Sequence, residues 1–300
     1  LYDFMKNKVG PLLNSTEVEQ KTSISVPLPS VLTVPVDLAA ARQSGALTAT
    51  DTAAAEMQIN IPEQKSFLSL DQLTMLNILA SNNWKRPICF TSPYGEIGFG
   101  PYLRQEGMIF RLTPVHNAQR AMNLNKTDSL LLNTFRFGGA GLKGIYFDEE
   151  NRRHLLTIRS TYAQAASNLA NEGRKQEAVN LLAKAEKGIS PENLPYAMVS
   201  RFQSHNQISV LYLEAAYKAG YTDLVNKVKS ALRKDLTEQK RYYNYLKEHK
   251  PDSYSSFISD EQDCDQFLQY MDRLEKTYNP QSTLINEVPG QRRDSADSTH

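Results

Sequence analysis

The chain has 300 residues, 40% hydrophobic and 22% charged, the profile of a globular protein able to bury one large core or two ordinary ones. Its 34 basic and 33 acidic side chains nearly cancel, so nucleic acid is not an expected partner, since duplex binding requires a basic surface. No stretch approaches the ~20 uninterrupted apolar residues of a membrane span, and no basic segment leads into an apolar one as in a signal peptide.

Residues 1–66 are rich in Pro, Ser, Thr and Ala and show little periodicity. The most apolar piece, SVPLPSVLTVPVDLAAA, is cut by Pro27, Pro29 and Pro35. Within it, VLTVPVDLAAARQSGAL reads as a short strand followed by a brief helix, and the rest of the region as extended or mobile chain. The start at Leu1, without methionine, suggests a segment of a longer protein. Cys89 and Cys264 are too few and too far apart for a disulfide framework. Cys89 lies in an apolar run and is expected to be a buried, inert thiol.

A second portion, 67–150, opens with SLDQLTMLNILASNN. Ser69 and Gln72 have the spacing of a capping box, Leu73, Leu76 and Leu79 form an apolar helix face, and Asn82 and Asn83 suit a helix end. RPICFTS then reads as a buried strand, FGPYLRQEG as a short helix closed by Gly107, and MIFRLTPV as a strand ended by Pro114. Alternating helices and apolar strands suggest a small α/β layer. In FRFGGAGLKGIYFD a glycine-rich turn leads into an aromatic strand. GAGLKG fits G-x-G-x-x-G, but with a strand-like IYFD after it, where a nucleotide site needs a helix, it reads as a flexible turn.

From about residue 155 the apolar period becomes 3.6. Helices break at Gly173 and Gly220, and SFISDEQDCDQFLQYMDRLEKTY adds a last one. Tyr162, Ala165, Ala166, Leu169, Gly173, Ala178, Leu182 and Ala185 fall at tetratricopeptide spacings, in which small residues let two helices approach. Too few units occur for a free solenoid, so this portion, 151–278, is expected to pack on the preceding one. The tail 279–300 has almost no apolar residues and should be disordered. The fold expected is α+β or α/β: a small N-terminal sheet portion packed against a C-terminal helical, tetratricopeptide-like portion.

Chemistry-bearing constellations are sparse. Asp148-Glu149-Glu150 and Asp260-Glu261 are adjacent acids, read as loop residues that do not oppose each other across a substrate. The five histidines are scattered without metal-ligand spacing, and no G-x-S-x-G elbow occurs. No catalytic residue, cofactor or metal site is assigned. The candidate ligand or docking surface is Asn83, Trp84 and Arg86, with Glu106 and Arg111. A lone tryptophan beside planar donors suits sugars and carboxylates. The competing reading has Trp84 plugging a helix–strand joint, Asn83 capping the helix and Arg86 paired with an acid.

PVD at 35–37, N-x-W-x-R-P-I at Asn82–Ile88, Y-L-x-x-E-G-x-x-x-R-L-x-P at Tyr102–Pro114 and YFDEENRRHLLTIRSTYAQAASNLANEGRKQEAVNLL resemble the C-terminal soluble region of a bacterial family of polytopic membrane proteins. That family is of unknown function and is similar to protein O-mannosyltransferases. The resemblance runs from about 32 to 275, with Cys89 standing where a bulkier aromatic residue is expected. It implies that the acidic catalytic residue and lipid-phosphate site lie in a membrane-embedded part outside this chain. It also implies a periplasmic position at the bacterial inner membrane, with that membrane domain and an acceptor protein or glycan as partners. The alternative is a free-standing protein-interaction scaffold unrelated to glycosylation.

Overall fold

A computed structural model describes residues 1–13, 27–116 and 122–279. Of the tail expected to be disordered, residues 280–300 lie outside the described residues, as do residues 14–26 of the N-terminal region. The chain divides into two compact units, Leu1–Leu130 and Leu131–His300. The architecture is α+β, with small antiparallel sheets in the first unit and helices in the second.

The first unit begins with helical turns, α1 (Tyr2–Phe4), a π turn (Met5–Val9) and α2 (Gly10–Leu13). A ribbon of β1 (Val31–Pro35) and β2 (Glu56–Asn60) follows, with α3 (Leu38–Gln43) between its strands. Strand β1 and helix α3 fall where VLTVPVDLAAARQ places a strand and a helix. Asp37 caps α3, its Oδ1 accepting from the Ala40 N–H at 3.0 Å. Leu32, Val34, Met57 and Ile59 alternate inward and bury one face of the ribbon.

Helix α4 (Leu70–Asn82) starts as its sequence predicts, with Gln72 Oε1 accepting from the Ser69 N–H at 3.1 Å. Leu76 and Leu79 join the ribbon residues, Ile97, Phe99, Tyr102, Leu103 and Leu112 in the core. A three-stranded antiparallel sheet, ordered β3-β5-β4, comprises β3 (Cys89–Phe90), β4 (Leu103–Glu106) and β5 (Ile109–Leu112).

The helix expected over FGPYLRQEG is replaced by a short 3-10 turn, Gly100–Tyr102, and strand β4. Two residues, Gly107 and Met108, join β4 to β5; Gly107, at φ +63°, supplies the backbone conformation this tight hairpin needs. Pairing with β5 overrides a local pattern that reads equally well as a helical turn. The α/β expectation therefore resolves to α+β. Strand β3 is only two residues long, and Cys89 on it is exposed rather than buried, because its side faces away from the core. Helix α5 (Leu124–Ser129) ends the unit.

In the second unit, α6 (Glu149–Asn171) packs on α7 (Lys175–Gly188) and on α8 (Ser204–Ala219); α9 (Thr222–His249) packs on α8. The short α10 (Pro251–Tyr254) leads into α11 (Ile258–Tyr278), which runs back along α9. Gly173 and Gly220, at φ +81° and +77°, make the turns where the sequence breaks. Tyr162, Ala165, Ala166, Leu169, Ala178, Leu182 and Ala185 are all buried.

The acidic run at 148–150 is a helix start, not a loop: Asp148 Oδ1 accepts from the Asn151 N–H at 2.8 Å, and Glu149 and Glu150 face the positive end of the α6 dipole. The strand expected at IYFD does not form. Residues 135–148 are irregular chain and turns. Gly141 lies so close to the Lys187 carbonyl that a Cβ there would sit 2.7 Å from its oxygen, and Asn193 Nδ2 donates to the Ala140 and Leu142 carbonyls at 2.8 Å each. This segment is fixed in place rather than a flexible turn.

Candidate functional site

Helix α4 ends because Asn83 and Trp84 both take the left-handed conformation, at φ +43° and +61°. Asparagine tolerates it; a bulky tryptophan does so only when its surroundings impose it. Three contacts impose it here. The Trp84 indole is 3% exposed, and its Nε1–H donates to the Pro35 carbonyl at 2.9 Å. The Asn82 amide clamps the backbone of Arg86, accepting from its N–H at 3.0 Å and donating to its C=O at 2.7 Å. The Lys85 N–H closes the turn onto Asn82 O at 3.0 Å.

Two hollows flank this turn. One, about 640 Å³, is bordered by Tyr2, Asp3, Thr33, Leu79, Asn83 and Trp84. The other, about 480 Å³, is lined by Ile78, Ser81, Asn82, Lys85, Arg86 and Ile88, together with Pro87. Asn83 and Arg86 are exposed, and Arg86 has no acidic partner among the described residues. The pairing with an acid that the packing reading supplied for Arg86 is absent there, whereas the plug at Trp84 and the cap at Asn83 are present.

Glu106 and Arg111 sit elsewhere in the unit, on the β4–β5 hairpin. Arg104 and Arg111 are direct cross-strand partners, a repulsive pairing unless each charge is met by an acid. Arg104 is gripped by Asp51 through two hydrogen bonds of 2.8 Å. Burial raises the Asp51 pKa, but the bonds from Arg104 and Thr48 outweigh it and leave the carboxyl below its usual range. Glu106, 2% exposed, accepts from Arg111 Nε and from Lys126 Nζ at 2.7 Å each. Neither hollow beside α4 has Glu106 or Arg111 in its lining.

The five candidate residues thus form two groups, a turn open to solvent and a closed ionic network. Of the network's three other members, Arg104 lies on the hairpin itself, whereas Asp51 and Lys126 give no sequence signal because they lie outside it along the chain. Lys85, which lines the second hollow, falls on an unspecified position of N-x-W-x-R-P-I and is not among the five candidates. A carboxylate already accepting from two cations has little capacity left for a substrate. Among the described residues no group of three His, Cys, Asp or Glu side chains is placed to hold a metal ion.

The second unit has a polar centre of its own. Arg159 donates to the Leu194 and Pro195 carbonyls at 2.7 Å each, its guanidinium 5.5 and 5.6 Å from the ring centres of Tyr196 and Tyr212. Both tyrosine hydroxyls donate to Glu186, at 2.5 and 2.9 Å. His205 donates its Nε2–H to Pro195 O at 2.8 Å, and burial lowers its pKa to about 4. All of these bonds except the one from Tyr212, which joins α8 to α7, tie the 190–203 connection to the helices, so the centre braces a loop.

Residues 2–131 match the family model described as TMEM260-associated domain 2. The match ends one residue past Leu130, where the first compact unit closes. This unit, carrying both hollows and the hairpin network, is therefore the part of the chain similar to that domain. No curated protein and no solved structure matches the chain. Among the described residues no helix is long and apolar enough to cross a membrane.

Proposed function

We propose that the chain is a non-catalytic accessory region of a membrane glycosyltransferase-like protein, which binds an acceptor protein or glycan or docks on the membrane-embedded part. The observation that carries this reading is the family match over the first unit. The model's description ties that domain to TMEM260, and the motifs at Asn82–Ile88 and Tyr102–Pro114, inside the matched span, are those that resemble a family similar to protein O-mannosyltransferases. An auxiliary role accords with how the acidic and thiol groups are engaged. Glu106 and Asp51 are committed to ion pairs, Asp148 to a helix cap, and Cys264 is a buried thiol whose pKa burial raises to about 12.

A position on the periplasmic side, where acceptors meet the transferase, belongs to the same proposal. So does the idea that paired helices α6–α9 offer a surface to an acceptor chain. The experiment is sugar transfer by the parent protein with and without residues 1–130, alongside calorimetric titration of this chain with acceptor peptides and glycans. The proposal expects deletion to weaken transfer and at least one acceptor to release or absorb heat. Intact transfer together with thermally silent acceptors refutes it.

A further inference from the structure

The hollow at the end of α4 carries an inference of its own, independent of whether the chain serves a transferase. We infer that it binds a phosphate ester through Lys85 and Arg86. These neighbouring cations line a hollow of about 480 Å³, a volume within the range of small-ligand sites. Both are exposed, and neither has an acidic partner among the described residues. In the same unit Lys65, Arg104, Arg111 and Lys126 each pair with a carboxylate. Those four cations are neutralised, whereas Lys85 and Arg86 stand side by side on one turn without a carboxylate partner among the described residues.

The pair is also held on a rigid support. The turn bearing it is pinned by the Trp84 indole bond at 2.9 Å and by the two Asn82–Arg86 backbone bonds, so little backbone freedom remains to be lost on binding. Arginine offers a planar fork to two phosphate oxygens, and lysine adds a point charge beside it. The C-terminal end of α4 opposes this with about half a negative charge, against two full positive ones. Attraction wins.

The rest of the lining indicates an ester and not a bare ion. Ile78, 49% exposed, and half-buried Ile88 give the hollow an apolar flank that inorganic phosphate would leave wet. An organic group on the phosphate would cover it. A soluble phosphoester and a phospholipid headgroup share this chemistry.

The test titrates the whole chain, by amide NMR shifts at residues 82–86 and 88, with glycerol phosphate. In parallel it measures co-sedimentation with phosphatidylglycerol–phosphatidylcholine vesicles against phosphatidylcholine alone. Shifts with glycerol phosphate identify a soluble ester site, and sedimentation only with the anionic vesicles identifies a headgroup site. In either case the Lys85→Gln/Arg86→Gln variant should bind about 25-fold more weakly, about fivefold for each cation removed, and added salt should release the ligand. Fluorescence of the lone tryptophan, Trp84, verifies that the variant is folded. Failure of both probes to bind the unsubstituted chain, or undiminished binding by the double variant, overturns the inference.

Discussion

The Trp84 indole and the Pro35 carbonyl, 49 residues apart, meet in a 2.9 Å hydrogen bond on the outer edge of β1. Val36 is the residue that bonds across to Ala55 of the ribbon, so the Pro35 carbonyl faces away from β2. On the opposite edge Tyr102 donates its hydroxyl to Gln58 O at 2.7 Å. A two-stranded ribbon is marginal alone and open to further pairing; here one aromatic donor covers each edge. Trp84→Phe, which keeps an aromatic ring and loses the N–H, should cost about 1 kcal/mol, and Trp84→Ala about 3–5 kcal/mol. Urea denaturation measures both. A Trp84→Ala protein as stable as the original would mean that the indole is a ligand platform and not part of the core.

Glu106 faces Arg111 and Lys126, and the two cations should not respond alike. Replacing Glu106 with Gln strands the buried Arg111 charge and should destabilise by about 3–5 kcal/mol. Lys126 is 41% exposed and remains hydrated without its partner, so Lys126→Ala should cost about 1 kcal/mol or less. Equal losses in the two variants, read from denaturation midpoints, would contradict a closed Glu106–Arg111 pair with Lys126 at its rim.

What the sequence disclosed depended on the range of the forces involved. The α4 start, the Asn83 end and the breaks at Gly173 and Gly220 follow from residues within a few positions of one another, and they were readable. Strand β2 is missed in the reading of its region as extended or mobile chain, although EMQIN alternates apolar and polar residues. The β4–β5 hairpin was lost because LRQE satisfies a helical or an extended pattern and only cross-strand partners decide between them. Asp51 and Lys126 were invisible as partners of Arg104 and Glu106, for no local period links them. At the candidate site the turn was legible and its two hollows were not, because a concave surface is a property of packed elements.

Acid should weaken the second unit through His205. Its folded pKa, lowered by burial to about 4, lies below the ordinary 6.5, so between those values the unfolded chain binds the proton more readily. The stability His205 contributes is complete above pH 6.5. It falls by about 1.4 kcal/mol per unit of pH below that, reaching a loss of about 3 kcal/mol near pH 4. His205→Gln, lacking a titrating ring, should flatten this part of a plot of melting temperature against pH. An unchanged slope would assign the acid sensitivity to other groups.

Two glycines in the second unit separate a fitted segment from a slack one. A Cβ on Gly188 would lie 2.3 Å from the Phe137 ring, and one on Gly141 would lie 2.7 Å from the Lys187 carbonyl oxygen. Gly188→Ala should therefore cost about 1–3 kcal/mol, and less in a Phe137→Leu background, where the obstructing ring is gone. No side-chain change can relieve Gly141→Ala, because its obstacle is backbone. That variant should lose at least as much and should also loosen the bonds Asn193 makes to Ala140 and Leu142, raising amide exchange across 137–144. If both variants unfolded at the original denaturant midpoint with exchange unaltered, the GAGLKG stretch would be the slack connector its composition first suggested.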